Sequence, residues 1–218
     1  MTSKKKDLFL VLGSGGHAKV LLDAMLQMNL SPINLLSSDE TQWGKHLFNI
    51  PIIGDDTYFS LNPTDSDLNF IIGFGNQKHW INRHKLFLDF SERMMPFNII
   101  HPSSIVSPFS SIDNGTAVLA RAVINPNVTV GKNSVINTGA IIEHDCIIGN
   151  NVHIAPGAVL CGGVTIEDHA FIGANSVICN QIEIKTGTVI GAGSVVTSDI
   201  TANTMVAGNP ACFIKSLQ

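Results

Sequence analysis

An aliphatic residue recurs at every sixth position from Ile100 to Val196, seventeen times without a miss, through Val106, Ile112, Val118, Ile124 and onward to Ile184 and Ile190. Four residues after each stands a second, mostly small residue, beginning Ser104, Ser110, Thr116 and Ala122 and ending Thr188, Ser194 and Ile200. A helix needs a spacing near 3.6 and an alternating strand a spacing of about 2, so neither explains the pattern. A spacing of six, with one large and one small residue facing inward, describes a short strand followed by a corner. Three such hexads make one triangular coil, and stacked coils make a parallel β-helix. Gly and Asn cluster near the corners, as in Ile148-Gly149-Asn150-Asn151 and Ile172-Gly173-Ala174-Asn175, because corners favour residues that tolerate unusual backbone angles.

The first hundred residues follow a different pattern. Asp7 to Leu12 reads as a buried strand, followed by Gly13-Ser14-Gly15-Gly16-His17-Ala18 and then a helical apolar pattern through Val20, Leu21, Ala24, Met25 and Met28. Strand, glycine turn and helix form a nucleotide-binding opening, in which glycines let a phosphate approach the backbone and the helix N-terminus attracts its charge. A second strand near Ile33 to Leu36 ends in Ser37, Ser38 and Asp39, and a third from Asn69 to Ile72 ends in Gly73-Phe74-Gly75-Asn76. Ends of parallel strands line a ligand crevice. The candidate substrate-binding residues are therefore Gly13, Ser14, Gly15, Gly16, His17, Ser37, Asp39, Gly75 and Asn76. A dinucleotide reading would place Asp39 on a ribose hydroxyl, but about 100 residues hold roughly one mononucleotide-binding half. A sugar nucleotide fits that space better, and a purely structural turn is the plainest alternative. The chain is expected to divide into an α/β Rossmann-like nucleotide-binding domain (1–99), a β-helix (100–200) and a C-terminal capping tail (201–218).

Composition narrows the partners. With 44% hydrophobic and 14% charged residues among 218, the chain is too apolar for disorder. Its net charge of −4 and thinly spread Lys and Arg provide no basic stripe for nucleic acid. No apolar run is long enough to span a membrane, and the Lys4 to Lys6 run precedes no signal peptide pattern. Cys146, Cys161, Cys179 and Cys212 form no Cys-x-x-Cys pair, and the first three are expected at repeat positions that accept small or apolar side chains. Reduced cytoplasmic thiols are the expectation.

One repeat carries chemistry. In Ile141-Ile142-Glu143-His144-Asp145-Cys146 a histidine flanked by carboxylates interrupts an otherwise bland solenoid. Histidine exchanges protons near neutral pH, and a neighbouring carboxylate orients the ring and stabilises the imidazolium. His144 and Asp145 could so deprotonate an acceptor that attacks a thioester. On the alternative reading His144 is one more surface residue. His153 either bonds a cofactor or caps a strand, and His101 and His169 are read as structural. A zinc site would need His144 and His153, on different faces of the prism, to meet across a subunit boundary with a third histidine that has no matching position. No metal is expected.

The chain as a whole resembles the bacterial sugar-nucleotide acetyltransferases related to the bacillosamine-pathway N-acetyltransferase and the sialic acid O-acetyltransferases. The likeness runs from the glycine loop with His17, through His144-Asp145, to Gly208-Asn209-Pro210-Ala211. It implies a left-handed β-helix, although general sterics favour right-handed crossovers, and a homotrimer with active sites between subunits. It implies acetyl-CoA as cosubstrate, His144 as general base, and Asp145 where the family carries an acidic partner, commonly Glu. Asn137, His153, Gly162, Ala174 and Ala192 match positions that line the acetyl-CoA groove, with the Gly162 N–H a candidate oxyanion donor. Two departures stand out: Ala192 where glycine is expected, and Ser37 and Ser38 near where a relative has acidic residues. The implied acceptor is the amine of a UDP-linked 4-amino-4,6-dideoxy-N-acetylglucosamine type sugar. O-acetylation of a sialic-acid-like sugar, and a non-catalytic solenoid that binds a protein partner, are the alternatives.

Overall fold

The computed structural model describes residues 7–61, 67–75 and 80–217, and its contacts divide the chain into two compact units, Met1–Phe97 and Asn98–Gln218. The first unit runs β1 (Asp7–Leu12), α1 (Gly16–Gln27), β2 (Ile33–Leu36), β3 (His46–Leu47), β4 (Ile50–Gly54), α2 (Tyr58–Leu61), β5 (Asp67–Ile72), α3 (Trp80–Ser91) and β6 (Met95–Pro96). Its sheet has the order β3-β4-β2-β1-β5-β6 and is parallel apart from the β3–β4 hairpin. Strand alternation sends Leu10, Leu12, Leu36, Phe70 and Ile72 into one core with Phe87, Phe90 and Met94. Because β2 and β5 pair on opposite sides of β1, a crevice opens beyond the carboxyl ends of these strands.

Helix α1 buries Ala18, Leu21, Leu22, Ala24 and Met25. This corrects the expected stripe, since Val20 is 41% exposed and Met28 is the C-cap. The rotation follows from close packing at Gly73, where an added Cβ would lie 3.3 Å from the Cβ of Ala18. Holding Ala18 against the sheet turns Val20 outward.

The second unit stacks strands eighteen residues apart in parallel register, for example Val118, Ile136 and Ile154 on one face. That first face has eight strands, the second face (Ile105–Val106 to Val195–Val196) six, and the third (Ser111–Ile112 to Glu183–Ile184) five. The inward aliphatic and small residues form one continuous core from Val118 to Val206. Each fully buried aliphatic side chain contributes roughly 1.5–3 kcal/mol. Every corner from Gly115 to Gly193 carries a left-handed residue at six-residue spacing, with φ between 53° and 76°. Asn127, Asn133, Asn151 and Asn175 fit this conformation at low steric cost, and Arg121, His169 and Gln181 also adopt it.

Beyond the coils, Thr204–Gly208 extends the first face parallel to Val189–Ile190, and Ala211–Ser216 folds back antiparallel. Val206 and Ala211 pack on the core, while Phe213 and Ile214 are exposed. Cys146 points inward and donates to the Cys161 carbonyl at 3.2 Å, but Cys161 and Cys179 follow the inward aliphatic residues Leu160 and Ile178 and are only half-buried. Among the described residues no helix is long and apolar enough to cross a membrane.

Candidate active site

The crevice of the first unit encloses about 570 Å³ and is lined by Gly13, Ser14, Ser37, Ser38, Asp39, Asp55, Asp56, Phe74 and Asn82 over a floor of Leu12, Leu36, Leu86 and Phe90. Gly13 has φ +126° and an added Cβ would lie 3.2 Å from the Gly73 carbonyl carbon, so the turn itself requires glycine there. Gly15 and Gly16 have open space around a notional Cβ, and no side chain caps α1. An anion can therefore approach the N–H groups of this helix. His17 follows in the first turn, half-buried.

Ser37 is buried, accepts from the Asp39 N–H at 3.2 Å and receives the Ser14 hydroxyl at 3.1 Å. Asp39 caps the short helical turn after β2, taking the Thr41 N–H at 3.0 Å and the Thr41 hydroxyl at 2.7 Å. These bonds hold its carboxyl below the usual carboxylate range. Gly75 lies in the loop after β5 outside the crevice lining, and Asn76 lies outside the described residues.

The second unit places His144 at the corner between its second and third faces. The neighbouring Asp145 has φ +62°, and its Oδ2 meets His144 Nδ1 at 2.7 Å. An ionised carboxylate can only accept, so Nδ1 carries a proton, and in the neutral ring this tautomer leaves the lone pair on Nε2. Asn127, one coil earlier, donates its amide N–H to the other carboxylate oxygen at 3.1 Å. Bonds from His144 and Asn127 hold the Asp145 carboxyl below its ordinary range. Gly162, one coil later, makes room for the ring: an added Cβ there would lie 2.7 Å from His144 Cε1 and Nε2.

The Gly162 N–H has no hydrogen-bond partner among the described residues. Three of the equivalent N–H groups at the third corner are taken by side chains: Lys132 by Asn150, Asn150 by Asp168, and Thr186 by Glu167. At this corner the equivalent earlier positions are Pro108 and Pro126, which have no N–H to satisfy, and His144 itself. A carboxylate-bonded imidazole and an unclaimed amide thus stand on successive coils.

Asn137 and His153 meet on the first face, with Nδ2 3.4 Å from Nε2, and His153 stacks on Phe171 at 5.1 Å between centroids. Ala174 and Ala192 follow strands of that same face, and Ala192 is exposed. Within one chain these four stand on a different face from His144. His101 is buried and accepts the Ser103 N–H at 3.0 Å, and His169 holds a left-handed corner. Among the described residues no group of three or more His, Cys, Asp or Glu side chains could hold a metal ion.

Both units match known families. Residues 9–87 match the PglD N-terminal domain, and residues 127–162 and 163–198 match the bacterial transferase hexapeptide (six repeats). The acetyltransferase domain of PglB from Neisseria gonorrhoeae is 31% identical over 95% of this chain and 99% of that one, with a TM-score of 0.85. The chain belongs to the hexapeptide-repeat acetyltransferases with a PglD-type N-terminal domain. PerB from Caulobacter crescentus, solved with CoA and GDP-perosamine, is 28% identical over 98% of this chain and 99% of that one, with a TM-score of 0.85. WeeI from Acinetobacter baumannii, at 24% identity over 96% and 100% of the two chains and a TM-score of 0.78, shares the fold. No curated protein sequence matches. The fold is thus the Rossmann-like α/β domain followed by a left-handed parallel β-helix expected for this family.

Two residues that hold parts of these sites in place escaped the sequence reading. Asn127 was legible only by counting eighteen residues back from Asp145. Arg83 carried no signal at all. It is buried on α3 and donates to the Ile72 and Phe74 carbonyls at 3.0 and 2.6 Å, so it fixes the end of β5 behind the crevice. Burial pushes its guanidinium down to about 9.

Proposed function

We propose that this enzyme transfers the acetyl group of acetyl-CoA to the amine of a nucleotide-linked amino-deoxy sugar. The observation that carries the reading is the corner at His144, where an Asp145-oriented imidazole faces solvent beside an unclaimed amide N–H. The relatives support the same chemistry. The PglB domain was solved with acetyl coenzyme A, and the Caulobacter perosamine N-acetyltransferase with CoA and GDP-perosamine, including forms in which one histidine is replaced by Asn or Ala.

In the reaction, sugar nucleotide and acetyl-CoA bind together, which converts a bimolecular encounter into attack within one complex. His144 Nε2 takes the proton from the attacking amine, and Asp145 stabilises the imidazolium. The amine nitrogen attacks the thioester carbonyl, and the Gly162 N–H stabilises the oxyanion. Collapse breaks the carbon–sulfur bond, and CoA leaves as a thiolate that needs little help from an acid. The nucleotide sits in the crevice of the first unit, its phosphates toward the N-terminus of α1 and its ribose toward Asp39.

Asn137, His153, Ala174 and Ala192 line the acetyl-CoA groove on this reading, and a second copy brings that face to His144. The outward residues of the second face support such an assembly. Ile105, Val123, Ile141, Val159, Val177 and Val195 are all aliphatic, whereas the third face shows Ser111, Thr129, Ile147, Thr165 and Glu183. An uninterrupted aliphatic row calls for a covering surface, and a homotrimer supplies one.

The resemblance favours a UDP-linked 4-amino sugar, while the Caulobacter relative was solved with a GDP-linked one. The test is thiol release from acetyl-CoA with UDP-, GDP- and dTDP-linked 4-amino sugars, run beside a folded His144→Ala variant. Release with one of them, lost in the variant, supports the reading. Silence with every amino sugar, or release unchanged by the substitution, overturns it.

A further inference from the structure

Asn127 and Asp145 occupy the same corner on successive coils, each with φ +62°. Asn is at home in this conformation, so Asn127 has an ordinary structural explanation. Its side chain does something more. Asn133, at an equivalent corner position, donates to Asn151 within a buried ladder, whereas Asn127 donates outward to the carboxylate that holds His144. With one oxygen taken by Asn127 Nδ2 and the other by His144 Nδ1, the Asp145 carboxylate has a single orientation that satisfies both. The imidazole plane follows from it.

We propose that Asn127 is a positioning residue for the general base, acting through Asp145 to hold His144 Nε2 toward the acceptor. The inference rests on His144 being the base. The titratable groups around His144 are Asp145, Glu143 on its N-terminal side, and Cys161 on the next coil, whose thiol burial pushes up. Asn127 adds a neutral donor to this set, which orients the carboxylate without changing its charge.

Three variants separate this role from corner geometry. Asn127→Gly keeps the left-handed corner and removes the amide. Its melting temperature should stay close to that of the parent, while kcat for acetyl transfer falls about fivefold, the scale of losing one ordinary hydrogen bond. KM for acetyl-CoA and for the sugar nucleotide should hold. Asn127→Asp sets a second carboxylate beside Asp145, which favours the imidazolium, so the acidic limb of the kcat profile should move up by about one unit. Asn127→Ser, which restores a shorter donor, should recover part of the loss.

The same titration is read without turnover from ¹⁵N imidazole shifts of His144 in the full-length protein. In the same spectra a shifted His144 Nδ1 signal in Asn127→Gly, where no charge is added, supports the positioning role even if none of the amino sugars reacts, in which case only the proposed reaction fails. Full kcat in Asn127→Gly, or an unmoved His144 titration in Asn127→Asp, overturns the inference.

Discussion

Replacing Gly162 by alanine should separate catalysis from stability. The added Cβ would lie 2.7 Å from Cε1 and Nε2 of His144, where ordinary contact begins near 3.4 Å. Gly162 has no left-handed φ, so alanine meets no backbone strain there. The ring must withdraw by about 0.7 Å or swing into solvent, and it is free to do so because the His144 side chain is 61% exposed. Losing its bond to a comparably exposed carboxylate has little effect on folding. The melting temperature should therefore move by no more than about 3 °C. Catalysis is far less tolerant, because a misplacement on the order of 1 Å lowers a positioned reaction about 100-fold, or roughly 3 kcal/mol of barrier. The assay is thiol release at saturating acetyl-CoA beside a thermal melt. Gly163 provides the control. Its φ is +71° and an added Cβ meets Gln181, with Cγ nearest at 3.4 Å, so Gly163→Ala strains the backbone without touching the ring. That variant should lose about 1–2 kcal/mol of stability and keep its turnover at a permissive temperature. Wild-type turnover in Gly162→Ala would refute the placement of His144 over Gly162.

Three further outcomes follow from the packing and the charges. Arg83→Leu strands the Ile72 and Phe74 carbonyls that the guanidinium holds, and should destabilise the first unit by about 2–4 kcal/mol in urea melts while weakening nucleotide binding by titration. Ile154→Ala, at a fully buried inward position, should lose about 2–5 kcal/mol by cavity formation, read in the same melts. The Asp39, Asp55, Asp145 and Glu167 carboxyls are all held below their ordinary range by hydrogen bonds. Their contribution to stability is present above the unfolded values and lost as pH falls through the folded ones. The melting temperature should accordingly be level from pH 8 to about 5 and fall below about 4.

The solenoid was legible because its constraint is periodic. A buried position repeated every six residues leaves a trace that no single substitution erases, and even Cys146 and Val152 keep to it. The left-handed corners were legible only in part, because Asn and Gly advertise them while Arg121, His169 and Gln181 do not. In the first unit the strands and the glycine turn could be read locally. The rotation of α1 could not, since it depends on Ala18 meeting Gly73 across fifty-five residues of chain. Arg83 was invisible for a related reason. Its partners are backbone carbonyls, and any residue type at 72 and 74 would have supplied them.

The repeat also explains why the proposed chemistry can stand where it does. Of the six positions in a hexad, two face the core, one takes the left-handed turn, and the strand residues commit their N–H groups to the ladder. The residue just before the left-handed turn is the least constrained. Its side chain points away from the core, and Pro126 shows that the fold does not require its N–H. His144 and Gly162 hold this position on consecutive coils, so the ladder itself sets them one strand spacing apart, about 4.8 Å. A base on one coil and an amide donor on the next can then flank one reacting carbonyl without any strain in the fold. A change that keeps the core pattern but shifts either residue by one position would leave the solenoid intact and separate the two groups.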